Sequence, residues 1–239
     1  PFQAFQPFPP FDLSTMRWDP TPPPSVPPAG WSCPVRQRGH SEFIFWAQAG
    51  HEVTFTLGLK RVGKSSTPEM SVAVVTPADR RDNLPQMSGE GEKPYTLRTE
   101  QPGSYRIVCE PGNSTVQVVS CSLPMSLYVE RAPFHLLGAA GDVYFCVPAG
   151  VQEFGVRISG GGEGESVRAA VYDAAGRNIA ERDNIDGHQF LLHRPSTADI
   201  EIWRLHLTKP SQGVIEDYYV QLQGIPPLLA THPDALPRI

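Results

Sequence analysis

The chain has 239 residues, a net charge of −5 and a sequence pI near 5.8. Lys and Arg are scattered, which argues against a basic face for nucleic acid or an anionic membrane. No apolar run approaches the roughly 20 residues of a membrane-spanning helix, while 26 Pro and 21 Gly among short β-rich runs point to an all-β, turn-rich protein.

The first segment reads PFQAFQPFPPF, with Phe2, Phe5, Phe8 and Phe11 at every third position. Three is the period of polyproline II, not of an α-helix or a strand. Pro fixes φ near the polyproline II value and removes N–H donors. The expectation is therefore an extended arm, residues 1–38, with one aromatic edge seeking a groove. Residues 1–34 carry eleven of the 26 prolines. Trp18 and Trp31 join the four Phe as candidate partner-binding anchors. The chain begins at Pro1 without Met, which points to a processed chain or an excised piece.

From about residue 39 the pattern becomes alternating. EFIFWAQAGHEVTFTLGL predicts two strands joined by a turn at Ala49-Gly50. MSVAVVTPADRR predicts a strand and a turn. GSYRIVCEPGNSTVQVVSCSL predicts a hairpin with Pro-Gly-Asn-Ser at its tip. The pattern then recurs. EFIFWAQAG (42–50) aligns with DVYFCVPAG (142–150), and EVTFTL with EFGVRI (153–158). VAVVTPADRRDN (72–83) aligns with AAVYDAAGRNIA (169–180), and residues 104–120 with residues 202–223. Four blocks in one order and spacing predict a duplication. The expected fold is all-β, with two tandem β-sandwich, jelly-roll-like domains at 39–125 and 126–225. A Pro-rich extension covers 226–239.

VYFCVPAGVQEFGVRISGGGEGESVRAAVYDAAG, in the second repeat, resembles the bacterial pre-peptidase C-terminal type of β-sandwich. The shared features are an aromatic strand, a V-P-A-G turn, an alternating strand, a Gly-rich loop and a strand ending in a turn. The resemblance implies a secreted, non-catalytic appendage of bacterial extracellular proteins. The family often carries acidic residues after the Gly-rich loop, where this chain has Ser166-Val167-Arg168-Ala169. It therefore brings no cation site with it.

Other motifs are weaker. GLKRVGKS (58–65) fits a phosphate-binding loop pattern, but Pro68 and a following strand leave no room for the helix that chemistry needs. Cys33, Cys109, Cys121 and Cys146 form no C-x-x-C. A candidate disulfide, Cys33–Cys121, would clamp the ends of the first domain. Asp183, Asn184 and Asp186 before Gly187 form a weak calcium candidate, with an Asx-rich turn as the plainer reading. None of the seven His falls at metal spacing, and His206 aligns with Val108. His188 and His193 would face opposite ways on a strand, as would Tyr218 and Tyr219. Trp46 and Trp203 read as strand core. Asn113-Ser114-Thr115 is a formal glycosylation acceptor.

No nucleophile or paired-carboxylate frame is present, so the expectation is a non-enzyme without a cofactor. The favoured reading is an extracellular or cell-surface structural protein whose arm docks on a neighbouring subunit or another extracellular protein to build an assembly; an arm that folds back on its own domains would instead be a stability feature. The alternative is a glycan-binding accessory module of a secreted hydrolase. That alternative requires coplanar exposed aromatics on one sheet face.

Overall fold

A computed structural model describes residues 5–12, 30–64, 67–130, 132–196 and 199–236. Phe2, Trp18 and Ser65 lie outside the described residues. The chain is all-β and forms two tandem β-sandwiches preceded by an arm. The described part of one compact unit is residues 30–128 with 234–236. That of the other is residues 129–233 together with arm residues 5–12.

The first sandwich contains β1 (Trp31–Arg38), β2 (Ser41–Ala47), β3 (Glu52–Lys60), β4 (Glu69–Val75), β5 (Arg81–Ser88), β6 (Gly91–Arg98), β7 (Gly103–Glu110), β8 (Thr115–Cys121) and β9 (Ser126–Tyr128). Antiparallel pairing gives one sheet of order β1-β8-β3-β6. It gives a second sheet of order β9-β2-β7-β4-β5. The second sandwich contains β10 (Phe134–Leu137), β11 (Gly141–Val147), β12 (Glu153–Gly160), β13 (Val167–Tyr172), β14 (Asn178–Ile185), β15 (Gly187–His193), β16 (Glu201–Thr208) and β17 (Asp217–Gln223). Its sheets run β10-β17-β12-β15 and β11-β16-β13-β14. In both repeats each connection crosses to the other sheet except β4–β5 and β13–β14. That is jelly-roll topology.

Period-two sequence builds these cores. In β3, Val53, Phe55 and Leu57 are buried; in β12, Phe154, Val156 and Ile158 are. Trp203 packs edge-on to Phe154 at 5.1 Å and beside Phe145 at 6.4 Å, joining the two sheets of the second sandwich. Tyr95 Oη donates to Pro85 O at 2.9 Å and ties the sheet edges of the first.

The repeats also share polar devices. Glu42 accepts from Arg106 at 3.0 Å, and Asp142 at the aligned position accepts from Arg204 at 3.0 Å. The turn at Gln48–His51 is latched by the Thr99 hydroxyl, which donates to the carbonyls of both residues. The equivalent carbonyls of Pro148 and Val151 accept from the buried Arg194 guanidinium. Both latches tie the turn to the residue after the edge strand, and His51 O also accepts from Thr99 N and Pro148 O from Val151 N.

Several expectations need correction. The 1–38 arm boundary lies too late, because β1 begins at Trp31. Its alternation turns Trp31, Cys33, Val35 and Gln37 inward, so Trp31 is a core residue of the first sandwich, 4% exposed, not a docking anchor. β9 pairs with β2, so the first sandwich extends beyond residue 125 to Tyr128. Within the Pro-rich extension, the described residues 226–236 are anchored. Leu228, Leu229 and Ala230 are fully buried, and Ala230 exchanges two main-chain hydrogen bonds with Tyr144. The 104–121 hairpin is a corner, since β7 and β8 belong to different sheets.

Replacing Trp203 by Ala removes the ring that joins the sheets. A loss of about 3–5 kcal/mol is expected for the second sandwich, measured by urea denaturation of the full chain.

Candidate functional site

The β10-β17-β12-β15 sheet buries its even-numbered side chains along β12 and β17 and turns the odd ones outward. This outer face carries Gly155, Arg157, Gln189, Gln221 and Gln223. Arm residues 5–12 dock on it without helix or strand of their own. Phe5, Phe8 and Phe11 are half-buried there, while Gln6, Pro7, Pro9, Pro10 and Asp12 are exposed. The period of three thus puts one aromatic edge on the sheet.

Three kinds of contact hold it. First, the Arg157 guanidinium lies over the Phe5 ring, 4.1 Å from its centroid, a cation–π contact. Second, Gln189 clamps the main chain of Gln6. Its Oε1 accepts from Gln6 N at 2.7 Å, and its Nε2 donates to Gln6 O at 2.8 Å. The same Nε2 donates to Gln223 Oε1 at 2.7 Å, so this amide, 5% exposed, is satisfied at both ends. Third, Phe8 rests on two glycines. A Cβ on Gly155 would stand 3.0 Å from Phe8 Cε2 and 2.8 Å from Gln223 Oε1. One on Gly224, whose φ is +74°, would stand 3.1 Å from Phe8 Cδ1. Beside this seat a cavity of about 300 Å³ remains, lined by Pro9, Phe11, Leu222 and Ile225 among others.

The first sandwich shows that the jelly roll does not demand these residues. Thr56 pairs with Pro94 there as Arg157 pairs with Gln189. By the same alignment Thr54 stands where Gly155 does. A threonine side chain would fill the Phe8 seat, and a proline has no amide side chain with which to clamp a peptide. The corresponding sheet of the first sandwich instead bears a hollow of about 280 Å³, lined by Arg36, Lys60, Glu90, Glu92 and Gln117 among others, without an aromatic ring.

The other candidates resolve differently. Cys33 and Cys121 form no disulfide. They lie on paired strands, but Cys33 is opposite Val118 and Cys121 opposite Trp31, so the register offsets them. Burial pushes the Cys121 thiol up, with Cys33 adding to the effect, and burial pushes Cys146 up to about 12. Neither is a reactive thiolate at neutral pH. The calcium candidate is a loop clasp. Asp183 Oδ1 accepts from Ser211 N at 3.1 Å, and Asn184 Oδ1 accepts from Gln212 N at 2.8 Å. Hydrogen bonds from Ser211 hold the Asp183 carboxyl below its usual range. Asn184 has φ +54°, a conformation Asn tolerates, and Asp186 supplies its main-chain carbonyl to Gly160 N. Among the described residues no group of three His, Cys, Asp or Glu side chains is placed to hold a metal. Gly58–Lys60 end β3, the next element is strand β4, and among the described residues between them there is no helix for phosphate. His188 and His193 both lie on β15, and His193 pairs with Glu153 at 3.3 Å. His206 hydrogen-bonds Asp142 at 2.6 Å. Tyr218 is buried, while Tyr219 is half-buried against His135 at 4.4 Å. Trp46 is half-buried.

No family profile matches the chain, and no curated protein matches it. Among solved structures it is similar to the N-terminal CBM22-1–CBM22-2 tandem domain of Xyn10C from Paenibacillus barcinonensis. That match is at 9% identity, covers 79% of this chain and 82% of that one, and has a TM-score of 0.27.

Gly155→Thr copies the first repeat and so suits the fold. It is expected to release the arm, raising deuterium uptake of residues 5–12 while the circular dichroism of the chain is unchanged.

Proposed function

We propose that the chain is a non-catalytic, extracellular or cell-surface interaction protein, in which the Phe-rich arm of one copy occupies the second-sandwich groove of another and builds an assembly. The observation that carries this reading is the groove itself. Arg157, Gln189, Gly155 and Gly224 converge on Phe5, Gln6 and Phe8 from different parts of the sheet and its following turn, although the duplicated fold does not require them.

Within one copy the arm fills its own groove. The same contacts serve between copies, because exchanging an identical element substitutes like for like. Residues 13–29, six of them proline, join the arm to β1. The docked arm is also weakly held. Half-burying three Phe rings, one cation–π contact and two hydrogen bonds contribute a few kcal/mol together. Ordering the chain costs about 1–2 kcal/mol per residue, partly offset at Pro7, Pro9 and Pro10, whose φ is already fixed. The likeness of residues 143–176 to the pre-peptidase C-terminal type supports the extracellular setting.

Sedimentation velocity over a concentration series tests the assembly. The full chain is expected to form species heavier than a monomer, and the chain carrying Phe5→Ala, Phe8→Ala and Phe11→Ala to sediment as a monomer. A full chain monomeric at every concentration would overturn the assembly and make a glycan-binding screen the next step.

A further inference from the structure

We infer that the groove on β12, β15 and β17 is a peptide-recognition site with a defined code, and that the arm is its displaceable resident ligand. The code is a non-helical segment with two aromatic residues three apart, Phe-x-x-Phe, read at three points. This rests on the arm–groove contact above but not on assembly.

The first point is Arg157, which takes an aromatic face at 4.1 Å. The second is Gln189. It bonds the N–H and C=O of one residue, Gln6, and touches no part of that residue's side chain in these two bonds. Any residue other than proline can stand there, since proline lacks the N–H. The third is the floor of Gly155 and Gly224, which admits a flat ring and is closed to a side chain of its own. The clamp at residue 6 fixes the register between the two ring sites. An added residue between the rings therefore leaves one ring unseated. A cavity of about 300 Å³ continues the groove beyond Phe8, where Pro9, Pro10 and Phe11 of the arm line it. Segments of other proteins with the same spacing compete for the site on the same chemistry.

The test uses a fluorescein-labelled peptide of residues 1–12 and the full chain carrying Phe5→Ala, Phe8→Ala and Phe11→Ala, whose own arm no longer presents the code. Fluorescence anisotropy is expected to show saturable binding, at least about tenfold tighter than binding of the same peptide to the unaltered chain, where the arm competes. A peptide with one Ala inserted between residues 6 and 7 is expected to bind at least about tenfold more weakly. Adding Gly155→Thr to the arm-altered chain is expected to abolish binding, with circular dichroism confirming the fold. Absence of binding to the arm-altered chain, or equal binding of the parent and lengthened peptides, overturns the inference. Selective binding by a chain that sediments as a monomer sustains the inference while removing the assembly.

Discussion

Gly155 faces outward from β12, and the space a side chain would take there is used by Phe8 and by the Gln189–Gln223 amide pair. A Cβ at that point would crowd all three groups at once. The rest of the groove follows from this vacancy. With Phe8 seated, the main chain of Gln6 passes within reach of Gln189, and Phe5 comes under Arg157. Arm sequence and sheet surface are matched in spacing, aromatic for glycine and main chain for amide.

Duplication separates what the jelly roll needs from what it does not. Both repeats keep a carboxylate–arginine pair between aligned strands, Glu42–Arg106 and Asp142–Arg204. Both latch the turn after β2 or β11 with a polar side chain that follows the strand at the sheet edge, by a hydroxyl at Thr99 and a guanidinium at Arg194. The chemistry differs while the latched carbonyls, Gln48 and His51 in one repeat and Pro148 and Val151 in the other, are at equivalent positions. At the arm groove the repeats diverge, with Thr54 against Gly155 and Pro94 against Gln189.

Much of the fold was legible because central strands bury one face and so alternate. The blocks at 42–50 and 142–150 became β2 and β11 with the same register against β7 and β16. Four strands, β5, β6, β14 and β15, were not legible. β5 and β6 contain Pro85 and Pro94 and few apolar residues, which edge positions tolerate; β14 and β15 carry NIAERDNI and GHQFLLH. The Phe period was visible because it is local. The groove was not, because Gly155, Gln189 and Gly224 come from separate parts of the chain and each reads as an ordinary strand or turn residue. The one signal available was the mismatch between aligned repeats at Thr54/Gly155. Trp31 misled because Pro-rich sequence surrounds it, although its alternation with Cys33 and Val35 was a strand signal.

The most direct measurement replaces Phe8 in the full chain with photoreactive p-benzoylphenylalanine, irradiates, and maps the adducts by mass spectrometry. The account predicts cross-links to the peptides containing Gly155 and Gln223–Gly224, whether the product is one chain or two. Cross-links confined to the first sandwich, or none at all, would contradict it.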